Sequence, residues 1–452
     1  MGNPQNPLAA RLEGAAGALL ADLAKVETGS EDISLLRYLG YDDGEAARSD
    51  NRARMLRAAA RFRRMFLLPV PDAPGLIFFG GEADPAIFGK RYEGLPVGNL
   101  AGSGTTPQRA FESCVGEGIE YLSQFVRDDD VIELGSPASR LPSYAQPRDI
   151  HVRRFVSEVL AAGSIEADRP ISWVVADSLC DGAQVWFPLD LCYRRGTAEQ
   201  DFIPRLKLSS GCAAGQTVEA ATLRGLLELV ERDAVALWWR GGRRGQSIAS
   251  NSEAGVAASD LLAELRRANV ERTTWLLDIT TDVEIPSVVA LSTRSDGFGF
   301  SFGFGARLTL AEAARAAIFE LCQVELGQHV VAAKRQESGD VALSDNDRRQ
   351  LRRGAEFDTR GCSLLQPETE DLSGEGRDIS LSSLQQALAR LEARGIAAYA
   401  IKLTRPEFGI PVVRVLAPGL QLEPCDIVGP RLSRMISETG GGALHHAGMP
   451  LL

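Results

Sequence analysis

The chain has 452 residues, 44% of them hydrophobic, and a net charge of −11. That length can bury a sizeable core, and the acidic balance argues against a nucleic-acid partner, which would need concentrated Lys and Arg. The apolar run Phe66–Val70 is too short to span a bilayer, and Asp22, Lys25 and Glu27 interrupt the N-terminal apolar pattern. We therefore expect a cytoplasmic protein with neither a membrane segment nor a secretory signal.

Helices and strands are predicted in alternation along the chain. Residues 1–70 read as amphipathic helices, residues 69–100 as short strands and turns rich in Gly and Pro, and 335–380 as surface excursions that include Glu368–Arg377. The helical spacing is carried by Leu8, Leu12, Leu19, Leu20 and Leu23, and then by Met55, Leu56, Phe62 and Phe66. Strands are predicted at Trp173–Ala176, Val288–Ser292, Ile401–Leu403 and Val412–Leu416. The pattern indicates a mixed α/β (α+β) fold.

Cysteine and histidine spacing predicts neither a disulfide framework nor a zinc site. The seven cysteines form no Cys-x-x-Cys pair, and their odd number favours reduced thiols. No two histidines have the i, i+4 spacing of a helical metal site.

One pattern occurs three times in the chain. A small, Gly-containing loop leads to a Thr, an Ala follows four residues later, a Glu seven after that, and a second Glu or a Gln three further on. The copies are Gly102–Thr106, Ala110, Glu117 and Glu120; Ala213–Thr217, Ala221, Glu228 and Glu231; and Gly305–Thr309, Ala313, Glu320 and Gln323. Each Thr suits a helix N-cap, and only the third copy has a full capping box, Thr309-x-x-Glu312.

The spacing places the Ala and the two polar residues of each copy on one face of the helix. Positions four, eleven and fourteen after the Thr lie within about 40° of a common stripe. A single Glu-x-x-Glu pair is usually a solvated surface, but the apolar neighbours of these pairs predict partial burial, which is costly without a partner. Five converging carboxylates would need cations, oxygen ligands suit Mg²⁺, and Gly-containing loops at helix N-termini suit phosphate. We therefore predict one magnesium–nucleotide site, although Walker, kinase and Gly-x-Ser-x-Gly motifs are absent.

The second copy closely resembles the YcaO family over Ser209–Ala221 and again over Gly225–Ala234. The first copy is similar to the family's Ser-x-x-x-Glu-x-x-Glu-Arg motif, and Gly409–Leu420 resembles its late strand and turn. The resemblance covers roughly residues 95–450, and it divides the chain into an N-terminal helical and mixed region, 1–95, and a YcaO-like ATP-binding catalytic domain, 96–452.

The resemblance implies that ATP and Mg²⁺ activate a backbone amide of a precursor peptide. In the azoline-forming branch, a Cys, Ser or Thr side chain attacks the preceding carbonyl, the oxygen takes phosphate from ATP, and loss of phosphate leaves a thiazoline or oxazoline. The implied metal ligands are Glu117, Glu120, Glu228, Glu231 and Glu320, which also count as catalytic together with Arg232. The implied nucleotide-binding residues are Ser113, Ser209, Gln216, Glu228, Arg232 and Gln323.

Several positions depart from the family pattern. Tyr121 replaces an Arg, Ser210 an Asn and Ala220 a Glu, while Ala316 stands where an Arg is usual and Arg315 is adjacent. Azoline-forming members often end in a Pro-x-Pro-x-Pro tail, whereas the segment His445–Leu452 contains one Pro. It is read either as a degenerate tail whose carboxylate enters the site or as an untethered end.

The first functional hypothesis is a D-protein-like, azoline-forming cyclodehydratase of thiazole/oxazole-modified peptide biosynthesis, for example of a bacteriocin. Because residues 1–95 show no ThiF-like or winged-helix leader-binding domain, a separate ThiF-like partner would deliver the peptide. A flavin-dependent dehydrogenase and a homodimer within a larger synthetase complex are also implied. Two alternatives stay open: thioamide formation from external sulfide with a TfuA-like partner, and a non-catalytic nucleotide-binding scaffold.

Overall fold

The computed structural model describes residues 8–20, 31–42, 46–141, 149–204, 206, 208–368 and 380–451. Its helices are α1 (Ala9–Leu20), α2 (Glu31–Tyr38), α3 (Ala46–Ala60), α4 (Pro107–Ser123), α5 (Pro137–Arg140), α6 (Ile150–Ala162), α7 (Val218–Trp239), α8 (Glu253–Arg266), α9 (Leu310–Ser338), α10 (Asp345–Glu356), α11 (Leu384–Glu392), α12 (Pro430–Thr439) and α13 (Ala443–His446). Its strands are β1 (Arg64–Leu68), β2 (Ile77–Ala83), β3 (Gly98–Gly104), β4 (Glu133–Gly135), β5 (Ile171–Ser178), β6 (Gln184–Pro188), β7 (Cys212–Ala214), β8 (Gln246–Ser247), β9 (Arg272–Asp278), β10 (Ser287–Arg294), β11 (Ser301–Ala306), β12 (Tyr399–Lys402) and β13 (Val412–Leu416).

The described strands form three antiparallel sheets. The first has the order β1-β2-β3, the second β4-β5-β12-β13-β7 with β6 also paired to β5, and the third β11-β10-β9-β8. Three of the edge strands are β3, β7 and β11, one from each sheet, and a helix follows each of them directly along the chain. The mixed α/β class predicted from the sequence is confirmed.

The predicted strands lie where expected, but the helical prediction for residues 1–70 extends too far. Helix α3 ends at Ala60, and Phe66 lies in β1 opposite Gly80 of β2. Phe66 covers the space that a side chain at position 80 would occupy, because a Cβ there would lie 2.3 Å from its ring. Cross-strand packing therefore overrides the apparent helical period. Leu23 lies outside the described residues.

The stretch near 335–380 is not a mere surface excursion. Its described part contains the end of α9 and the whole of α10, and then turns inward. Phe357, Cys362, Leu364 and Leu365 are buried in one apolar cluster with Trp238 and Trp239 of α7. The sequence did not predict this contribution to the core, because the apolar runs are short and the segment around them is polar. Residues 369–379 lie outside the described part of the chain.

Apolar clusters join the N-terminal helices to the rest of the fold. Leu12, Leu36 and Leu56 share one buried cluster with Val115 and Ile119 of α4. Strands β2 and β3, on either side of the domain boundary predicted at residue 95, pair along their whole length; that boundary stays a prediction. In the part of the chain described here, no helix combines the length and the apolar character needed to cross a bilayer.

Candidate active site

Three strand–loop–helix modules meet at the candidate site: module 1 (β3 and α4), module 2 (β7 and α7) and module 3 (β11 and α9). In each, the predicted Thr caps the helix by accepting a hydrogen bond from a first-turn amide. Thr106 accepts from Arg109 at 3.3 Å, Thr217 from Ala220 at 3.1 Å and Thr309 from Glu312 at 3.2 Å. The repeat in the sequence is therefore also a repeat in the structure.

The capping box predicted in module 3 is only half formed. Thr309 accepts from the Glu312 amide, but the described contacts hold no return bond from the Glu312 carboxylate to the Thr309 amide. Thr309 also forms an antiparallel bridge with Ser380, in which the Leu381 amide donates to the Leu308 carbonyl oxygen at 2.8 Å.

Small residues bring each strand against its own helix. A Cβ on Gly102 would lie 2.3 Å from the Ala110 carbonyl oxygen, and one on Gly305 would lie 2.4 Å from that of Ala313. These glycines and alanines occupy the same places in modules 1 and 3, four residues on either side of the capping Thr. Module 2 has Gly225 on its helix, where a Cβ would lie 2.6 Å from the Gly211 carbonyl oxygen. The close approach expected at the alanines is thus observed.

The first glutamate of each module binds the backbone of its own strand segment. The Glu117 carboxylate accepts from the Ala101 amide at 2.6 Å and that of Glu320 from the Phe304 amide at 2.5 Å. Glu228 accepts from the Gly211 amide, just before β7, at 3.1 Å. An edge strand leaves amides without a strand partner, and these carboxylates satisfy them. Each contact uses one oxygen of the carboxylate.

The second polar residue of a module reaches the next module. Glu120 of module 1 accepts from the Ala214 amide of module 2 at 2.7 Å. Gln323 of module 3 donates to the Ser103 hydroxyl of module 1 at 2.7 Å. Ala214 and Ser103 occupy equivalent places, three residues before the capping Thr. Helix α7 of module 2 packs on β11 of module 3, so the modules form a ring with the glutamates facing its interior.

The site carboxylates have displaced pKa values. Burial raises the pKa of Glu120 to about 8, with Glu117 and Glu228 adding repulsion. Burial likewise raises the pKa of Glu320 to about 7, assisted by Glu231, and that of Glu117 to about 7. Glu117 keeps an exposed surface, so water reaches it more readily than Glu120. Burial also raises the pKa of Glu228, although Arg232 opposes the shift.

Other buried carboxylates in this fold are neutralised by arginines. Glu325, which is fully buried, lies 2.6 Å from a guanidinium nitrogen of Arg266 and 2.9 Å from one of Arg272. Asp233 is likewise paired with Arg431. Among the described residues, however, Glu117, Glu120 and Glu320 form no ion pair. Such uncompensated carboxylates are characteristic of a functional site and mark this ring as a place for a cation.

The arrangement suits Mg²⁺ that is bound together with phosphate rather than enclosed by protein alone. Across the described residues, no three His, Cys, Asp or Glu side chains come close enough to hold a metal ion. The five glutamates are therefore neighbouring groups along the ring and not one compact cage. Mg²⁺ commonly takes one or two carboxylates and completes its octahedron with phosphate oxygens and water, which these carboxylates permit.

Arg232 supplies positive charge inside the ring. A guanidinium nitrogen lies 3.4 Å from the Glu231 carboxylate and 3.8 Å from that of Glu228. Glu231 is buried with only 7% of its surface exposed, so this cation compensates a charge that water does not reach. The three residues predicted together in module 2 are thus brought into contact.

The remaining predicted nucleotide-binding residues lie on or near the modules but make fewer contacts. Ser113 is exposed on α4 one turn before Glu117, Gln216 is exposed in the loop before α7, and Ser209 is exposed before β7. Tyr121, at the position of the family's Arg, bonds the Pro96 carbonyl oxygen, and its ring lies under Arg194 with 5.2 Å from guanidinium carbon to ring centroid. This departure therefore has a structural role.

Sequence reasoning missed Arg224. It lies one turn before Glu228, and its guanidinium donates to the Ala214 carbonyl oxygen at 3.1 Å. The signal was present, since Arg224 precedes Glu228 by the same four residues that separate Ser113 from Glu117.

The C-terminal segment is held at the end of α7. The ring of His446 stacks on Trp239 with centroids 4.2 Å apart, and the Trp239 indole donates to the Met449 carbonyl oxygen at 2.7 Å. Arg353 donates to the Leu451 carbonyl oxygen at 2.8 Å. An untethered end is therefore wrong for the described segment through Leu451, because these contacts pin it. Leu452, which carries the carboxylate of the other interpretation, lies outside the described residues.

Two curated relatives match most of the chain. An uncharacterized protein of Methanothermobacter thermautotrophicus is 26% identical over 336 residues, covering 72% of this chain and 82% of its own. An "uncharacterized protein in tfuA 3′ region" of Rhizobium leguminosarum bv. trifolii is 27% identical over 363 residues, covering 75% and 80%.

Solved structures share the fold at low identity. A heterocyclase in complex with substrate and cofactor matches 87% of this chain at TM-score 0.65 and 22% identity, and the chain spans 55% of that protein. YcaO from Methanopyrus kandleri, bound with AMPPCP and Mg²⁺, matches 79% of this chain and 85% of its own at TM-score 0.51 and 21% identity. The E. coli microcin synthetase McbBCD complex with pro-MccB17 bound matches 79% and 88% at TM-score 0.55 and 15% identity.

A family model described as YcaO cyclodehydratase, ATP- and Mg²⁺-binding, matches residues 101–421. That span includes modules 2 and 3, module 1 from Ala101 onward, and each of the five glutamates. Because this family model matches more than half of its length, the chain belongs to the YcaO family, whose domain binds ATP and Mg²⁺.

Proposed function

We propose that this protein is an ATP-dependent peptide cyclodehydratase that forms azolines in a ribosomally made precursor peptide. The observation that carries the proposal is the ring of glutamates, in which Glu117, Glu120 and Glu320 form no ion pair among the described residues. Such a site favours Mg²⁺ and a phosphate group in transfer, because the metal offsets the negative charge of both.

The proposed reaction converts a peptide amide into a ring with loss of one water. A Cys, Ser or Thr side chain loses its proton and adds to the preceding carbonyl carbon, and the carbonyl oxygen then takes the γ-phosphoryl group of ATP with release of ADP. The C–O bond then breaks, so that phosphate leaves, and the nitrogen loses its proton to give the C=N bond of a thiazoline or oxazoline. In this scheme the ring glutamates hold Mg²⁺ and Arg232 contacts phosphate, as the family motif implies.

We assign a proposed role to each site residue from its position in the family motif. Glu117, Glu120, Glu228, Glu231 and Glu320 are the proposed metal-site carboxylates, and Ser113, Ser209, Gln216 and Gln323 the proposed nucleotide neighbours. Because Gln323 already donates to Ser103, we propose that it supports the module boundary rather than the metal.

Partners are also proposed. A ThiF-like leader-binding protein would present the precursor peptide, and a flavin-dependent dehydrogenase would oxidise azolines to the azoles of a bacteriocin-type product. The likeness to the McbBCD synthetase fold supports a multi-protein assembly, in which we propose that this chain is a homodimer. Its need for ATP and a ribosomal product supports a cytoplasmic location.

A second candidate keeps the same site and changes the nucleophile. External sulfide would attack the activated amide and replace its oxygen, which yields a thioamide. The relative from the tfuA 3′ region favours this candidate, because thioamide formation is the alternative that requires a TfuA-like partner. Each candidate requires the same ring glutamates, so the product distinguishes them.

The test is mass spectrometry of a candidate precursor peptide incubated with the protein, ATP, Mg²⁺ and the products of neighbouring genes. Azoline formation should remove one water per ring, whereas thioamide formation in the presence of sulfide should add the mass difference between sulfur and oxygen. Glu228→Gln should abolish either product. Unmodified peptide together with absent peptide-dependent ATP hydrolysis would instead favour the non-catalytic scaffold.

A further inference from the structure

We propose that Arg224 is a phosphate-contact residue at the boundary between modules 1 and 2. This inference rests on the proposed function, since it assigns a further residue to the nucleotide of that same site.

The position of Arg224 on α7 directs it to the ring. Arg224, Glu228 and Arg232 follow one another at four-residue spacing, which places them along one face of the helix. Arg224 and Arg232 therefore bracket Glu228, one turn to either side. The equivalent residues of modules 1 and 3 are Ser113 and Ala316. Arg224 is therefore the only cation at the three equivalent positions.

The guanidinium of Arg224 is held in place by the strand it faces. It donates to the carbonyl oxygen of Ala214, and the amide of the same Ala214 donates to the Glu120 carboxylate. The carbonyl oxygen and the amide of one edge-strand residue thus bind Arg224 and Glu120, respectively. The positive charge of Arg224 also opposes the rise in the pKa of Glu120. Arg224 is therefore oriented beside a site carboxylate, and it does not merely extend into solvent.

Arg224 differs from Arg232 in what neutralises it. Arg232 lies within 4 Å of two carboxylates, so much of its charge is already compensated. In the described part of the chain Arg224 forms no ion pair, its side chain is exposed, and its one recorded hydrogen bond is to Ala214. Most of its N–H donors can therefore meet an incoming anion. A guanidinium with free parallel donors suits phosphate oxygens, which it binds in pairs.

The test is calorimetric binding of the non-hydrolysable analogue AMPPNP with Mg²⁺ to the full chain. Arg224→Ala should weaken binding by about tenfold to a hundredfold, since hydrogen bonds to charged groups are the stronger ones. Binding of AMP should change much less, because the lost contact is to the outer phosphates. The AMPPNP affinity of Arg224→Lys should lie between those of Arg224→Ala and the unmodified protein, because lysine keeps the positive charge but lacks the parallel donors of a guanidinium. In turnover, the ATP KM should rise while the KM for precursor peptide stays the same.

Arg349→Ala is the matched control, because Arg349 is exposed on α10 and forms no recorded ion pair. It should bind AMPPNP as the unmodified protein does, and all variants should melt at the same temperature without nucleotide. Equal AMPPNP affinity in Arg224→Ala and the unmodified protein would overturn the assignment of Arg224 and leave the proposed function intact. An unmodified protein that does not bind Mg²⁺–AMPPNP would overturn both.

Discussion

The site glutamates have two tasks at the level of single residues. Glu117, Glu228 and Glu320 each bind an amide at a sheet edge, and each also places negative charge inside the ring. Glutamine can accept the same hydrogen bond but carries no charge. Alanine can do neither. The two substitutions therefore separate the structural task from the binding task.

Glu320 offers the sharpest use of this difference. Near neutral pH, Glu320→Gln should not lower the melting temperature of the nucleotide-free protein and should raise it where the carboxylate would be ionised, yet it should abolish Mg²⁺-dependent AMPPNP binding and peptide-dependent ATP hydrolysis. Glu320→Ala should lose the same activities and also about 1–3 kcal/mol of stability, because the Phe304 amide loses its partner in a buried strand. Thermal melting and calorimetry measure the two effects separately.

Glu312→Gln is the control on the same helix, since Glu312 is exposed and its side chain has no recorded bond. Glu312→Gln should change neither the melting temperature nor AMPPNP binding and ATP hydrolysis. Full ATP hydrolysis in Glu320→Gln would show that the charge of Glu320 has no part in the site.

Much of the site was predictable at this scale and some of it was not. The repeated spacing predicted the capping threonines and the close approach at the alanines. The apolar neighbours predicted partial burial of the glutamates, which holds for Glu120, Glu228, Glu231 and Glu320, whereas Glu117 is exposed. It did not predict that each first glutamate binds an edge amide, because edges are decided by which distant strands pair. Arg224 escaped notice because a single arginine on a helix is ordinarily solvated, and only the position of Ala214 gives it an orientation.

At the level of elements, the strand-to-helix contact decides whether a module can form. Gly102→Ala should destabilise the protein by about 1–3 kcal/mol, because its Cβ would lie 2.2 Å from the Cys114 amide nitrogen and something must move. The shift should also weaken Mg²⁺–AMPPNP binding, since Ala101, the neighbour of Gly102, holds Glu117. Thermal melting and calorimetry give both numbers.

Gly116→Ala, on helix α4 of the same module, is the matched comparison. No heavy atom lies within 4 Å of the added Cβ, so the change should stabilise the helix by about 0.5–1 kcal/mol. Equal melting temperatures for the two variants would contradict the packing account of module 1.

The strands differed in how clearly the sequence predicted them. Strands β5, β10, β12 and β13 carry runs of β-branched and aromatic residues, and they were predicted. Strand β1 falls inside the predicted helix because Phe62 and Phe66 continue the helical period of α3. Phe66 of β1 pairs with Gly80, fourteen residues further along the chain. The spacing of neighbouring residues does not reveal such a pairing.

For the molecule as a whole, the ring of carboxylates makes stability depend on pH. The pKa of Glu120 is raised to about 8 and those of Glu117 and Glu320 to about 7, above the ordinary value of 4.5. Between these values the folded chain binds more protons than the unfolded chain, so stability falls as pH rises. The nucleotide-free protein should therefore lose melting temperature progressively from about pH 5 to pH 8.

Glu120→Gln should flatten that profile, whereas Glu312→Gln should leave its slope unchanged. Mg²⁺–AMPPNP should raise the melting temperature more at pH 8 than at pH 6, because the cation binds the ionised carboxylates. Melting curves across this range measure both effects. A nucleotide-free profile that is flat, or that rises between pH 5 and 8, would contradict the charge repulsion inferred within the ring.

The placement of site carboxylates at sheet edges bears on how this protein can change over generations. An edge strand whose amides lose their partners becomes a template for pairing with another chain, and so a risk of aggregation. Loss of activity alone would not release Glu117, Glu228 or Glu320 from selection, because a folded descendant without catalysis would still need an acceptor at each edge. Glutamine is the expected replacement in such a descendant. Gln323, which occupies the place of Glu120 and Glu231 and fastens module 3 to module 1, shows that the ring already accommodates that exchange.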